Sequence, residues 1–370
     1  MITPGRHAAR LWGGGLGLLR GVVHRVECFS VEFTRRQYLG LMAAGLGNAT
    51  GNTLIEQWRR IALDTDGVVG AAALHIESGQ TISLHGSDRF PLASVCKLPI
   101  ALNILAMVDE GKLSLNSDIQ IPIEDVVPGV SNIAEQWPKQ KHFPLDELLE
   151  LMVAQSDNTA VQTLFRMGGG GTGMAARFRQ WQIDGIRVDR SERRCALDAA
   201  GVQSIPPVSQ WTPGMFEELT ARITPHERIA AMRRFLADPR DTAMPNGSVQ
   251  LLQKAFRGEL LSAGLTTRLI EILTATTTGS ARIKGLLPAG TAVAHKTGTT
   301  STVSGLNGAT NDVGVIMLPK SAGRLIVAVY VKGSTREQTA TERVIARIAK
   351  SAFDSVLNTP ERPTPGASVR

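Results

Sequence analysis

Segments with the composition of β-strands occur near both ends of this sequence, and helical patterns fill the region between them. Two apolar runs, 68–76 and 81–85, flank Glu77-Ser78-Gly79-Gln80, which predicts a β-hairpin. Three further β-rich runs of strand length come late in the chain, at 291–296, 313–318 and 325–331. The simplest way to bury all five runs is one antiparallel sheet built from both ends of the chain.

Apolar residues at helical spacing predict two helices that flank this sheet, at 52–63 and 338–357. Further helices are predicted between the two strand regions, at 94–111, 145–155, 159–167, 226–236, 245–256 and 266–276. We therefore expect an α+β fold with two lobes, in which an all-helical lobe (about 91–284) is inserted into a sheet lobe (about 50–90 and 285–357). A cleft between the lobes is the expected active site.

Three segments are predicted to lack regular structure. Residues 113–143 are interrupted by prolines, which indicates a long loop over the cleft. Residues 168–173 fit the pattern G-x-G-x-x-G but follow a helix rather than a strand, so we expect a flexible turn and no dinucleotide site. The Pro-rich tail, 358–370, is expected to be disordered.

The charge of the chain is concentrated at its N-terminus. The net charge is +7, and residues 1–49 carry six arginines and two glutamates, which gives +4 and leaves +3 for the rest. A domain of about 300 residues with that charge requires neither nucleic acid nor an anionic membrane as a partner. With 43% hydrophobic residues the chain can bury a large core, and we expect one catalytic domain over 50–357.

The first 49 residues resemble a twin-arginine export signal. Arg35-Arg36 precede a short Gly/Ala-rich apolar run that ends near Ala49. That run is too short to span a bilayer, so we expect a periplasmic or secreted protein with no stable membrane anchor. In such a compartment Cys96 and Cys195 could form a disulfide, or they could remain buried thiols.

Three short motifs carry residues suited to nucleophilic catalysis. Ser94 and Lys97 lie three apart on a predicted helix and so share a face. A serine hydroxyl needs a nearby base, and a buried lysine with a lowered pKa can serve as one. Ser156-Asp157-Asn158 lies between two helices, and Lys296-Thr297-Gly298-Thr299 ends a strand. Each motif alone also fits an ordinary helix cap or strand end.

Taken in order, the three motifs resemble those of class A β-lactamases and penicillin-binding proteins. The segment from Asp189 to Glu192 resembles the start of the omega loop of class A β-lactamases, with Glu192 at the place of the catalytic glutamate. The resemblance also implies that Arg190 pairs with Asp241, where the loop closes. It extends over about 54–357, and the chain is identified as a member of this group of serine hydrolases.

The resemblance implies a mechanism. Ser94 would attack the lactam carbonyl, with Lys97 or a water held by Glu192 as the base. Ser156 would relay a proton to the leaving nitrogen, and Glu192 would activate the water that hydrolyses the acyl-enzyme. The backbone N–H groups of Ser94 and Thr299 would form the oxyanion hole. No metal or organic cofactor is implied.

The same resemblance assigns the substrate-binding residues of a small-molecule β-lactam. Asn158 would hold the amide of its side chain. Its carboxylate would be bound at the Lys296-to-Thr299 strand end (Lys296, Thr297, Gly298 and Thr299) and by Arg282, which lies in a segment resembling the family's. We expect a monomer. The motifs do not distinguish penicillins, cephalosporins and carbapenems as substrates.

Two departures from the family pattern leave questions open. Ala196 stands where the family has an asparagine that helps to hold the deacylating water, and we hypothesise that Asp198 or Gln203 replaces it. The segment 190–241 is also longer than the family's loop, and it either covers the cleft or packs on the surface. A histidine, His295, precedes Lys296 and is expected to be structural.

Two alternatives to a hydrolase remain. One is a D,D-peptidase-like penicillin-binding protein, which Arg190, Glu192 and Asp241 argue against because such an enzyme needs no deacylating glutamate. The other is a β-lactam binder that deacylates slowly, which Ala196 favours.

Overall fold

The computed structural model of the chain describes residues 51–212 and 214–358. The predicted export signal and the tail beyond residue 358 lie outside this range. No helix in the described residues is long and apolar enough to cross a membrane.

One antiparallel sheet forms the frame of the molecule. Its strands lie in the order β2-β1-β10-β9-β7, and β8 pairs with β9 beyond the end of β7. The strands are β1 (Val68–His75), β2 (Thr81–Leu84), β3 (Phe90–Pro91), β4 (Asp118–Gln120), β5 (His142–Pro144), β6 (Thr242–Ala243), β7 (Val293–Thr299), β8 (Thr302–Val303), β9 (Leu306–Met317) and β10 (Arg324–Ser334). The small pairs β3–β6 and β4–β5 lie outside the main sheet.

The register of the sheet joins the two ends of the chain. Ala72 of β1 lies opposite Ala328 of β10, and Tyr330 of β10 lies opposite Asn311 of β9. On the far side of β9, Val313 lies opposite Lys296 of β7. The predicted sheet from both ends of the chain, and with it the α+β class, is therefore confirmed.

Twelve α-helices lie in the described residues. They are α1 (51–62), α2 (Lys97–Asp109), α3 (Asn132–Gln136), α4 (Leu145–Ala154), α5 (Asn158–Met167), α6 (Gly170–Trp181), α7 (Glu192–Ala200), α8 (Met215–Ala221), α9 (Pro225–Ala237), α10 (Pro245–Phe256), α11 (Ala263–Thr274) and α12 (Gln338–Leu357). The closing helix has the predicted bounds.

Two predictions of irregular structure are wrong. The glycine run 168–173 is mostly the first turn of α6, which begins after Gly169 in the left-handed conformation (φ 84°). Glycine disfavours an isolated helix, but burial of Phe178 and Trp181 at the other end of α6 supplies the packing that overrides this preference. The segment 113–143 contains α3 and the β4–β5 pair rather than a continuous loop.

Two hydrophobic cores lie on opposite faces of the sheet. On one face, α1 and α12 pack over the strands through residues such as Trp58 and Ile348. On the other face, the sheet meets the helical lobe, whose central helix is α2. The first ten residues of α2, from Lys97 to Ala106, are all buried. The sequence just after Ser94 therefore enters the interior of the protein.

Replacement of Trp58 by alanine should test the first core. The Trp58 side chain is completely buried, and its Nε1 donates a hydrogen bond of 2.9 Å to Ser351 Oγ. Trp58→Ala leaves a cavity and removes this hydrogen bond, so we expect the free energy of unfolding to fall by about 3–5 kcal/mol. Leu63→Ala is the control, because Leu63 is 81% exposed. Urea unfolding curves with equal losses for the two variants would contradict this account of the core.

Candidate active site

Ser94 lies in a tight 3-10 turn, Ala93–Cys96, that leads directly into α2. Ala93 has a positive φ of 46°, which a residue with a side chain rarely adopts. Asn311 of β9 holds the entry to the turn, because its Nδ2 donates to the carbonyl oxygens of Pro91 (2.8 Å) and Leu92 (3.1 Å). Ser94 is half-buried and lines the main cavity, so its hydroxyl can meet a ligand.

Lys97 lies one turn further along and is completely buried. Its Nζ donates to the Ser156 carbonyl oxygen (2.6 Å) and to Asn158 Oδ1 (2.9 Å), and it lies 3.2 Å from Ser156 Oγ. The ammonium group has three donors, and this second motif satisfies all of them. The structure thus brings the first two predicted motifs into direct contact.

The Ser156 hydroxyl is the point where all three motifs meet. Lys296 Nζ donates to Ser156 Oγ (3.1 Å) and to the carbonyl oxygen of Thr297 (3.0 Å). Ser156 has a positive φ of 63°, so a strained backbone aims its carbonyl and hydroxyl at the two lysines. Burial, together with the nearby charge of Lys97, lowers the pKa of Lys296 to about 7.

Gly298 brings the edge strand β7 against the nucleophile turn. A Cβ atom at Gly298 would lie 2.5 Å from the Leu92 carbonyl oxygen and 3.1 Å from the Val95 nitrogen, so no other residue fits. The β7–β9 register continues to a bond from Thr300 N to Ala309 O. Since hydrogen-bonded residues alternate in an antiparallel pair, the N–H of Thr299 points away from β9, toward the open edge.

Glu192 is the first residue of α7, a helix that was not predicted. Ser191 caps this helix, and the positive end of the helix dipole favours the carboxylate. Glu192, Ala196, Ala199 and Ala200 recur at helical spacing and line the same cavity as Ser94. Ala196 therefore lies one turn from Glu192 on the face toward the cleft.

The hypothesis that Asp198 or Gln203 replaces the family's asparagine is wrong. Asp198 faces away from the cavity and forms ion pairs with Arg190 (2.9 Å) and Arg194 (2.8 Å). Gln203 is exposed beyond the end of α7. Neither side chain lines the cavity.

Arg190, just before α7, and Asp241, just before β6, form an ion pair that joins the two ends of the intervening segment. Arg190 Nε donates to Asp241 Oδ2 (2.5 Å), and Arg190 Nη1 donates to Asp198 (2.9 Å) and Asp238 (3.2 Å). Asp241 Oδ1 accepts the backbone N–H groups of Asp189 (2.7 Å) and Arg190 (3.0 Å). This network fixes the chain immediately before Glu192.

Arg282 is a buried residue in the wall of the cavity, and the protein occupies all of its donors. Its Nη1 donates to the carbonyl oxygens of Gly298 (3.1 Å) and Asn311 (2.9 Å), and its Nε donates to Glu342 (3.2 Å). Its Nη2 donates to Thr299 Oγ1 (2.7 Å) and to Glu342 (3.1 Å). A guanidinium has five N–H groups, so a direct bond to a substrate would require one of these to break.

The long segment 201–240 forms one wall of the cavity, so it covers the cleft rather than packing on the surface. Five of its residues line the same cavity as Ser94, namely Phe216, Thr220, Arg228, Met232 and Phe235. Trp211 anchors the segment, since its ring lies 4.2 Å from the guanidinium carbon of Arg193, the neighbour of Glu192. The whole cavity measures about 580 Å³, within the range for drug-sized ligands.

Cys96 and Cys195 are free thiols, and both line the cavity. Burial raises the pKa of Cys96 to about 12 and that of Cys195 well above its ordinary value. Both are therefore protonated near neutral pH and are poor nucleophiles.

His295 is buried, with its Nδ1 2.9 Å from Asp312 Oδ1, which agrees with a structural role.

A serine, two buried lysines and a glutamate around the cleft of a two-lobed α+β fold define the class of serine acyl-transfer enzymes. The model of the β-lactamase enzyme family matches residues 53–356, and the chain belongs to that family. It is a class A serine β-lactamase that hydrolyses the amide bond of β-lactams.

Individual relatives agree with this assignment. The chain is 30% identical over 292 residues to β-lactamase VEB-1 of Pseudomonas aeruginosa, covering 78% of this chain and 86% of that protein. It is 31% identical over 319 residues to extended-spectrum β-lactamase PER-1 of the same species, covering 84% and 89%. The crystal structure of a β-lactamase from Chitinophaga pinensis superposes with a TM-score of 0.68 at 32% identity, covering 82% of this chain and 99% of that one.

The lowered pKa of Lys296 leads to a pH prediction. Lys296 is an ammonium below pH 7 and increasingly a neutral amine above it. If the ammonium attracts the substrate carboxylate, kcat/KM, which reports the free enzyme, should fall as the pH rises through about 7. In Lys296→Arg the guanidinium stays charged, so this decline should move upward by more than about 2 pH units. An identical decline in both enzymes would show that Lys296 does not cause it.

Proposed function

We propose that this enzyme works through an acyl-enzyme on Ser94 that Glu192 and water hydrolyse. The observation that supports this most is the convergence of Lys97 and Lys296 on the Ser156 hydroxyl, in a residue that lines the same cavity as Ser94. These groups can carry protons between the nucleophile and the leaving nitrogen without bulk water.

Either Lys97 or Glu192 can be the base that activates Ser94. Two partners of Lys97, the Ser156 carbonyl and Asn158 Oδ1, can only accept a hydrogen bond, whereas Ser156 Oγ can donate or accept. Lys97 therefore fits this site as an ammonium with three donors or as an amine that accepts the hydrogen of Ser156. Glu192 would act through a water between its carboxylate and the serine.

The N–H groups of Ser94 and Thr299 are the proposed oxyanion hole. The orientation of Thr299 N–H toward the open edge of β7 supports this role, because the close approach of Gly298 places that edge beside the Ser94 turn. Each such donor contributes about 3–4 kcal/mol to stabilisation of the transition state.

The substrate carboxylate would lie against Lys296, Thr297 and Thr299. We propose that Arg282 acts through Thr299, because its guanidinium is fully hydrogen-bonded and fixes the Thr299 hydroxyl. Asn158, held by Lys97, would bind the side-chain amide of the substrate.

On the N-terminal pattern alone, we further propose export by the twin-arginine route to the periplasm or medium, and action as a monomer without a membrane anchor.

Glu192→Gln tests the mechanism. The amide cannot take a proton from water, so we expect benzylpenicillin to remain attached to Ser94 while the wild type turns over. Rapid-mix mass spectrometry of the intact protein measures the adduct, which should be absent in Ser94→Ala. If the wild type itself accumulates the adduct and releases it only slowly, the chain is a slowly deacylating binder and not an efficient hydrolase.

Ala196→Asn tests whether the missing asparagine limits deacylation. Position 196 lies one turn from Glu192 on the cavity face of α7, so an amide there could help to orient a water on the carboxylate. We expect deacylation, followed by single-turnover mass spectrometry, to accelerate about tenfold. Ala199→Asn, a further turn along the same helix, is the control. Equal rates in Ala196→Asn and wild type would show that the site already holds its water well.

A further inference from the structure

One end of the catalytic cavity is built by the segment that lengthens this chain. The alanine face of α7 (Ala196, Ala199 and Ala200) forms one side of that end. Phe216 of α8, with Met232 and Phe235 of α9, forms the other. Met232 also packs tightly on the sheet, since a Cβ at Gly308 of β9 would lie 2.6 Å from its Sδ. The inserted helices and α7 thus enclose an apolar arm of the cavity, which we call the α8–α9 arm.

Arg228 is a half-buried cation in the wall of the α8–α9 arm. Its Nε donates to the carbonyl oxygen of Ile223 (3.1 Å) and its Nη2 to that of Thr220 (2.5 Å). Among the described residues it forms no ion pair, and its Nη1 has no hydrogen-bond partner. The two backbone carbonyls therefore hold the guanidinium in place. In the described part of the chain, its Nη1 N–H groups remain without an acceptor, and no carboxylate balances its positive charge.

The other cation near this arm, Arg190, is already paired. The guanidinium of Arg190 lies over the ring of Phe235, but it is paired with Asp241, Asp198 and Asp238. Glu192, at the first turn of α7, is an anion and is the proposed catalytic base. Arg228 is consequently the cation in this wall that is available to an anion from the cavity.

The chemistry of a β-lactam defines which part of the substrate reaches the arm. Its carboxylate is on the ring fused to the four-membered lactam ring. Its acylamino side chain is attached to the lactam ring on the side away from that carboxylate. With the carboxylate at Lys296 and Thr297, the carbonyl at Ser94 and the side-chain amide at Asn158, the rest of the side chain is left with the part of the cavity that α7, α8 and α9 line.

We propose that the α8–α9 arm binds the acyl side chain of the substrate and that Arg228 selects side chains that join an aromatic or apolar group to a carboxylate. The inference deepens the proposed function and rests on it. Phe216, Met232 and Phe235 would pack against the apolar group, and the free N–H groups of Arg228 would bind the carboxylate in a charge-assisted hydrogen bond.

Benzylpenicillin and its α-carboxybenzyl analogue form a matched pair of probes, because they differ by a single side-chain carboxylate. The measured quantity is the ratio of kcat/KM for the carboxylated penicillin to kcat/KM for benzylpenicillin. Arg228→Gln should lower this ratio about tenfold, mainly through a higher KM for the carboxylated substrate. Arg228→Lys should retain part of the preference, since it keeps the charge but not the planar geometry.

Arg222→Gln is the matched control, because Arg222 lies on the same segment but is exposed and does not line the cavity. It should leave the ratio at the wild-type value, and thermal unfolding of each variant verifies that α8 and α9 are intact. Equal loss of activity on both penicillins in Arg228→Gln would overturn the selection by charge, with the hydrolase intact. Failure of the wild type to turn over either penicillin would overturn the proposed function, and the arm's role with it.

Discussion

Two buried lysines that share one hydroxyl group are the constraint on which the rest of the site depends. An ammonium in the protein interior is unfavourable unless fixed acceptors replace its water, and two ammonium groups also repel each other. Ser156 supplies a carbonyl and a hydroxyl for Lys97, and the same hydroxyl for Lys296. Its left-handed backbone conformation is the local strain that allows both groups to face the lysines. The repulsion that remains helps to lower the pKa of Lys296 into the range where a proton can move near neutral pH.

The sheet keeps this arrangement rigid. Asn311 in β9 ties down the turn before Ser94, while Arg282 ties β7 to β9 through the carbonyls of Gly298 and Asn311. The nucleophile and the edge strand are therefore fixed to the same neighbouring residue. A displacement of β9 would move both together, so the spacing between Ser94 and Thr299 is preserved.

The motifs and the sheet could be predicted from sequence because both depend on short-range patterns. Alternating apolar residues located the strands, and three spaced motifs located Ser94, Lys97, Ser156 and Lys296. The helices α6 and α7 were missed, since a glycine run and a charged stretch hide helices that tertiary packing stabilises. The partners of Asp198 could not be foreseen either. The sequence pattern left this carboxylate free to hold water, but the fold surrounds it with Arg194 one helical turn before it, Arg190 ahead of the helix and Arg240 from the far end of the inserted segment.

The α7 helix connects Glu192 to the inserted segment. Glu192 begins the helix and three alanines continue its face, so Glu192 and one wall of the α8–α9 arm belong to a single rigid element. Arg193, on the other side of α7, stacks on Trp211 and donates to the carbonyl of Glu124. The inserted segment is thus attached to the residue next to Glu192. Because Arg193 holds Trp211 on one side of α7 while the alanines line the arm, a single helix positions Glu192, the arm and the start of the inserted segment together.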